Sequence, residues 1–137
     1  MDLLRELFDW VATAAALTRS VDWHCGHLPP ESVGPMAVLL ERGGTPSQPT
    51  LRGNVGEYMF QVLAVSGMDG SYFEGRDLAH RIHAVLADRA GINLTDHTVC
   101  VVDAVNEPQY LGNDERFRFE FSTNYAVRSL TKAEWPS

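Results

Sequence analysis

Two stretches of the sequence contain residue types that bind metal ions. The first, His24-Cys25-Gly26-His27, offers imidazole and thiolate groups, which zinc accepts. A structural zinc site takes four protein ligands, and the chain has no second Cys/His pair at ligand spacing. We therefore interpret this stretch as a strand end that stops at Pro29-Pro30.

The second stretch lies in a segment that is predicted to be helical. Asp77, His80 and His83 recur every third residue there, a spacing that places side chains beside one another. They fall away from the apolar stripe of the helix, so a solvated polar face also explains them. Asp103 and Glu107 could form a carboxylate pair, but they flank a predicted strand end, where acidic residues are common. We predict neither a metal site nor a catalytic site from these groups.

Nucleophilic and cofactor chemistry find no support in the sequence either. The chain has no G-x-S-x-G motif, and neither Cys25 nor Cys100 lies in a context typical of a reactive thiol. Gly43-Gly44 is not followed by the Lys-Ser/Thr of a phosphate-binding loop, and no G-x-G-x-x-G occurs. We predict a protein that is not an enzyme and that binds no cofactor.

Length, net charge and cysteine count exclude several classes of protein. The 137 residues are enough for one domain with its own core, so we treat residues 1–137 as one domain. The net charge of -7 argues against sequence-specific binding of nucleic acid and against a polybasic membrane surface. Two cysteines are too few for a disulfide scaffold and indicate reduced thiols in the cytosol. Charged residues interrupt the apolar N-terminus, which predicts neither a signal peptide nor a membrane span.

Hydrophobic periodicity predicts two helices. Residues 2–17 show the apolar period of a helix. Residues 72–90 do the same behind an S-x-x-E capping box that is formed by Ser71 and Glu74. We expect Gly91 to cap the C-terminal end of this second helix.

Apolar and alternating runs predict the strands. They cover residues 36–42, 57–66, 97–105 and 116–127, with a shorter strand within 20–28. Residues 110–115 contain Gly-Asn-Asp and predict a turn. The order of elements predicts an α/β (α+β) fold, in which a mainly antiparallel mixed sheet carries two helices packed on one face.

Two segments have few apolar residues to anchor them. Residues 43–56 contain four glycines and two prolines, which predicts a mobile loop. Residues 131–137 are predicted to form a loose C-terminal tail.

The last strand has two different faces. Phe117, Phe119 and Phe121 point to one side, and we expect them to be buried under the helices. The opposite side is polar, and next to apolar positions of the central strand it forms a mixed face of the kind that often meets a partner. The predicted interface residues are Arg42, Arg52, Gln61, Leu63, Arg118 and Glu120.

Three stretches of the chain form a pattern that is familiar from one protein family. The first is the helix at 3–17 followed by the turn Gly26-His27-Leu28-Pro29. The second is the aromatic strand Tyr58-Met59-Phe60-Gln61-Val62 before the helix at 72–90. The third is the Gly/Asp turn at 109–115, which leads into the aromatic strand at 116–125. This pattern resembles the small tail terminator and minor capsid proteins of long-tailed bacteriophages.

The resemblance implies a structural role in a virion. Copies of this chain would form a homo-hexameric ring on the head-proximal end of the tail tube, after assembly in the host cytoplasm. The ring would end the growth of the tube and would contact the tail tube protein and a head-tail connector or neck protein. DNA would pass through the ring without specific binding, which suits an acidic chain.

Other functions stay open at this point. Head-completion and tail-completion proteins of the same neck have a similar length and similar elements. A small metal-dependent enzyme built on Asp77, His80 and His83 and a dimeric ligand-binding module with a ferredoxin-like fold are the alternatives from other classes.

Overall fold

The computed structural model describes residues 2–31, 34–44, 48–50 and 53–132, which form two helices and eight strands. The helices are α1 (Leu3–Ala14) and α2 (Tyr72–Leu86). The strands are β1 (Trp23–Cys25), β2 (Met36–Gly44), β3 (Gln48–Thr50), β4 (Gly53–Val65), β5 (Ala90–Asn93), β6 (His97–Ala104), β7 (Gln109–Asn113) and β8 (Phe119–Lys132).

All eight strands belong to one sheet. Its main path runs β1-β2-β4-β8-β6-β5, while β3 pairs with β4 and β7 pairs with β8. Only the β1–β2 pair is parallel among the strands described. The predicted fold class, a mainly antiparallel mixed sheet with two helices, is confirmed.

Both helices contribute to a core on one side of the sheet. Leu7 and Val11 of α1 and Ile82 of α2 are buried there with Phe60 of β4 and Tyr125 of β8. We call this side of the sheet the helix side and the opposite side the outer face. Neither helix of the described segments is long and apolar enough to cross a membrane.

The first helix is shorter than its periodicity predicted. Asp2 caps its N-terminus, because its carboxylate accepts a hydrogen bond from the Arg5 N–H at 2.9 Å. The helix ends at Ala14, and Ala16 has a φ of +55°, which turns the chain away from the helical path. Leu17 lies beyond the helix but is buried in the core. Its apolar side chain therefore indicates a packing position and not a helical residue.

The second helix begins as predicted and ends earlier. The Ser71 hydroxyl accepts a hydrogen bond from the Glu74 N–H at 3.2 Å, and the Glu74 carboxylate accepts one from the Gly67 N–H at 2.7 Å. The expected cap at Gly91 is wrong, because the helix ends at Leu86 and Gly91 lies inside β5. Asp88, with a φ of +56°, makes the turn between them.

The segment predicted as a mobile loop at 43–56 contains strand residues. Strand β2 continues to Gly44, β3 covers Gln48–Thr50, and β4 begins at Gly53. The ladder of β4 with β8 accounts for the early start of β4, because it runs on to pair Gly53 with Lys132. Residues 45–47 and 51–52 lie outside the described residues, and the mobility of the segment stays a prediction.

The predicted loose tail also begins in a strand. Thr131 and Lys132 belong to β8, and the Lys132 ammonium donates to the Leu94 carbonyl at 2.6 Å. The backbone N–H of Lys132 donates to the Asp96 carbonyl at 2.9 Å. Residues 133–137 lie outside the described part of the chain.

Strands β6 and β7 share one edge of β8, and a side chain bridges the gap between them. Residues 109–113, predicted as part of a turn, form β7, and the turn follows at 114–117. Between β6 and β7, the Asn106 amide oxygen accepts hydrogen bonds from the Asn124 N–H at 2.9 Å and from the Asn124 side chain at 3.1 Å. The Asn106 amide nitrogen donates to the Ser122 carbonyl at 3.2 Å. In the gap between β6 and β7, the Asn106 side chain therefore bonds the Asn124 N–H and the Ser122 carbonyl of β8 in place of a neighbouring strand.

Candidate interaction surfaces

The histidines and the cysteine at β1 do not converge on one point. Nε2 of His24 lies 3.1 Å from the Val21 carbonyl, where it donates a hydrogen bond, and His27 is exposed. Partial burial raises the pKa of the Cys25 thiol, and the carboxylates of Glu41 and Asp2 add to this effect. The thiolate that a metal or a nucleophilic reaction requires is therefore disfavoured.

The three candidate metal ligands on α2, Asp77, His80 and His83, point in different directions. His83 faces the sheet, where its Nδ1 lies 2.9 Å from the Tyr125 hydroxyl, and its Nε2 lies 3.1 Å from a Glu107 carboxylate oxygen. The rings of His80 and His83 are 6.5 Å apart and almost perpendicular, while Asp77 lies in a groove with Arg81. Within residues 2–31, 34–44, 48–50 and 53–132, no three His, Cys, Asp or Glu side chains are placed to hold a metal ion.

Glu107, His83 and Tyr125 form a hydrogen-bonded line from the surface to the core. The Tyr125 hydroxyl is buried, and its pKa is raised far above its ordinary value, mainly by that burial. The hydroxyl therefore stays protonated, and its hydrogen bond with His83 ties α2 to β8. Asp103 takes no part in it, because it is paired with Ala126 on the outer face. A carboxylate pair of Asp103 and Glu107 is not formed.

The pairing of β4 with β8 assembles most of the predicted interface on the outer face. Gln61 lies opposite Asn124, and Leu63 lies opposite Ser122, so the expected neighbourhood of these two strands is confirmed. Leu63 also lies opposite Val38 of β2 and is half-buried. Neither helix covers this part of the sheet, which presents apolar and polar side chains together.

A row of side-chain hydrogen bonds crosses the outer face. The Arg42 guanidinium donates through Nε to the Gln61 amide oxygen at 2.7 Å and through a terminal nitrogen to the same atom. The Gln61 amide nitrogen donates to the Ser122 hydroxyl at 2.7 Å. These bonds hold Arg42 and Gln61 in fixed positions, which lowers the entropy that a partner would have to remove. Arg52 lies outside the described residues.

Arg118 is buried within the subunit, although the alternation places it on the polar face of the last strand. Only 5% of it is exposed, and its Nε donates to an Asp114 carboxylate oxygen at 2.6 Å. Another guanidinium nitrogen donates to the Pro29 carbonyl at 2.9 Å. Arg118 therefore ties the β7–β8 turn to the segment after β1. Its guanidinium is engaged within its own subunit and is not exposed to a partner.

Glu120 is half-buried beside this ion pair. Burial raises the pKa of its carboxyl, and the Asp114 charge adds to the rise while the Arg118 charge opposes it. A carboxylate in these surroundings is incompletely solvated, and a cation from a partner would stabilise it.

A second surface, which the sequence did not reveal, lies at the turn between β7 and β8. Of the eight exposed large apolar side chains among the described residues, five belong to this hairpin or to the start of α2. We call them the aromatic tip: Tyr72, Phe73, Tyr110, Leu111 and Phe117. The rings of Tyr72 and Tyr110 are 5.3 Å apart, and both pack against the buried Phe121. Tyr72 and Tyr110 therefore anchor the tip to the core on the helix side of the sheet.

Phe117 departs most from its expected position. It was predicted to be buried with Phe119 and Phe121, yet 78% of it is exposed, while Phe119 is half-buried and Phe121 is buried. Its φ is +59°, and its N–H donates to the Asp114 carbonyl at 3.0 Å to close the turn. Glycine is the usual residue at such a left-handed position in a hairpin. No glycine stands at this position, so the start of β8 at Phe119 could not be predicted from the residue types.

Comparisons with known proteins support the fold and name no family. No family model and no curated protein matches the chain. A chain in the solved structure "Virion of native gene transfer agent (GTA) particle" has a similar fold, with a TM-score of 0.60 and 9% sequence identity. The match covers 88% of this chain and 84% of that chain. At this identity the likeness concerns the fold alone.

Proposed function

We propose that this protein is a structural subunit of a phage-like virion, and that it forms the ring that ends the tail tube at its head-proximal end. The observation that carries the proposal is the match of nearly the whole fold to a chain of a virion particle. The resemblance of the three sequence stretches to tail terminator proteins supports the same role independently. The proposed role is structural and not enzymatic.

The outer face is the proposed contact of one subunit with the next. Gln61, Leu63 and Arg42 lie there on strands whose other side is fixed by the core. A ring repeats one head-to-tail contact, so each subunit needs two different complementary surfaces. The mixed outer face supplies one of them, because interfaces combine apolar area with positioned polar groups.

The remaining partners follow from the place of such a ring. One rim would bind the tail tube protein, and the other would bind a connector or neck protein of the filled head. DNA would cross the ring without specific contacts, and the net charge of -7 supports this because acidic walls do not retain phosphate groups.

The length of tail tubes tests the proposal. Tubes assembled with the wild-type chain should have one length in electron micrographs, and tubes assembled with Leu63→Lys should vary in length. Val21→Ser, which changes an exposed apolar residue elsewhere, is the matched control and should leave the length uniform. If the wild-type chain has no effect on tube length, the terminator role is wrong, and a neck protein on the head side becomes the better assignment.

A further inference from the structure

The aromatic tip exposes several large apolar rings at one end of the sheet. Tyr72, Phe73, Tyr110 and Phe117 are 37%, 65%, 41% and 78% exposed. With a surface on the order of 200 Å² for each ring, these four side chains expose roughly 400 Å². That is about half of the ~800 Å² that each partner contributes to a standard protein–protein interface.

Tyr72 and Tyr110, which anchor the tip, lie on the side of the sheet opposite the outer face. Tyr110 is paired with Phe121, whose ring lies in the core on the helix side. Leu63 is paired with Ser122, the next residue of β8, and therefore points to the other side. One partner molecule cannot cover both surfaces through a single compact contact, so each surface needs its own partner.

The charges around the two surfaces are complementary. Arg76 follows Tyr72 and Phe73 by one helical turn, and Arg116 precedes Phe117. Neither of their guanidinium groups forms an ion pair with another residue that the structure describes. The outer face carries the carboxylates of Asp103, which is exposed, and of Glu120, which is half-buried. The two exposed arginines described on this face are already engaged, because Arg42 bonds to Gln61 and Arg128 pairs with Glu57. The chain has eleven lysines and arginines against eighteen acidic residues, and two of the eleven, Arg76 and Arg116, lie at the tip.

We propose that the aromatic tip of one subunit docks on the outer face of a second copy of this chain. This inference rests on the proposed ring, and it names the second of the two surfaces that a head-to-tail contact requires. The apolar rings cover the half-buried centre of the outer face around Leu63, while Arg76 and Arg116 approach the acidic residues at its rim. Phe117 is 78% exposed at the turn, so its ring is accessible to a partner.

A mixing experiment tests this assignment through self-association. The tip variant combines Phe73→Ser with Phe117→Gly, and the face variant is Leu63→Lys. Sedimentation of the wild-type chain up to millimolar concentration should show oligomers, and each variant alone should associate at least tenfold more weakly. An equimolar mixture should form dimers and nothing larger, because the intact face of one variant can accept the intact tip of the other.

The controls separate the possible outcomes. Val21→Ser should associate like the wild-type chain, and Asp103→Lys is a second face variant that changes an exposed side chain if Leu63→Lys does not fold. A wild-type chain that stays monomeric, or a mixture that is not rescued, would overturn the proposal. So would a tip variant that associates normally but fails to cap tail tubes, since its tip would then bind another protein. Normal self-association without any effect of the wild-type chain on tube length would refute the terminator role and leave this contact standing.

Discussion

Asp114 and Arg118 form a largely buried ion pair across the turn that joins β7 to β8. Arg118 Nε lies 2.6 Å from an Asp114 carboxylate oxygen, and the other Asp114 oxygen accepts hydrogen bonds from the N–H groups of Arg116 and Arg118, each at 2.9 Å. The same arginine reaches the Pro29 carbonyl. One side chain thereby fixes both the hairpin and the segment that follows β1.

Breaking this pair should destabilise the fold. We expect Arg118→Ala to lower the free energy of unfolding by about 3 kcal/mol, because the Asp114 carboxylate loses its partner in a largely buried site. Arg128→Ala is the matched control, since Arg128 and Glu57 form an exposed pair with 3.7 Å between their nearest charged atoms. That change should cost less than about 1 kcal/mol. Denaturant unfolding of both variants measures the difference, and equal losses would contradict the structural role of Arg118.

The same pair should make stability depend on pH in the acid range. Burial alone would raise the pKa of Asp114, but hydrogen bonds from Arg118 and Arg116 and the Arg118 charge outweigh it and lower the pKa below its usual 3.8. A carboxyl with a lowered pKa stabilises the folded state above its unfolded pKa, and this contribution is lost as the pH falls through the folded value. We expect the stability difference between the wild-type chain and Asp114→Asn to be constant from pH 7 to about pH 5 and to shrink below about pH 4. A difference that does not change with pH would show that the carboxylate is not held by the pair.

The elements of the fold were largely predictable from the sequence. Leu78, Ile82 and Leu86 recur with the helical period on the buried face of α2. The ends of elements were harder to place, because they depend on single backbone angles and on distant pairing. Asp88 ends the turn after α2 with a positive φ, and Gly53 starts β4 because Lys132 pairs with it from the far end of the chain.

The residues of the candidate surfaces were also predictable only in part. Gln61 and Leu63 were placed correctly on the outer face, since strand alternation and the pairing of β4 with β8 determine their side. Alternation also put Arg118 on that face, but it carries no information about Pro29, which binds the guanidinium from 89 residues away. The aromatic tip was missed because the alternating pattern starts at residue 116, whereas the left-handed turn at Phe117 delays the start of β8 to Phe119.

The three phenylalanines of the hairpin should differ sharply in their energetic roles. Phe121 is buried against Tyr72 and Tyr110, so Phe121→Ala should lower the free energy of unfolding by about 3–5 kcal/mol. Phe119 is half-buried, and its replacement by alanine should cost less. Phe117→Ala should change stability by less than about 0.5 kcal/mol, because its ring is mostly in solvent. Denaturant melts of the three variants would contradict this order if Phe117→Ala proved as costly as Phe121→Ala.

Gly75 should resist a substitution that usually stabilises a helix. Replacing glycine by alanine inside a helix commonly gains about 1 kcal/mol. A Cβ atom at residue 75 would meet the Ser66 nitrogen at 3.0 Å, the Phe119 carbonyl oxygen at 3.1 Å and the Phe121 ring at 3.2 Å. We therefore expect Gly75→Ala to lower the melting temperature, because α2 would have to move away from β4 and β8. Ala84→Gly, at an exposed site of the same helix, gives the ordinary cost of glycine for comparison.

Phe117 should show a conflict between stability and assembly. A residue other than glycine in the left-handed region costs roughly 1–2 kcal/mol, so Phe117→Gly should raise the free energy of unfolding by about 1 kcal/mol. Phe117→Ala removes the same ring but keeps a Cβ atom at a φ of +59°, so it should show no such gain. Both variants should lose the association of subunits, since both lack the exposed ring. Denaturant unfolding and sedimentation of the two variants together separate the backbone effect from the effect of the ring. A Phe117→Gly chain that is less stable than the wild type would show that the ring stabilises its own subunit and is not held ready for a partner.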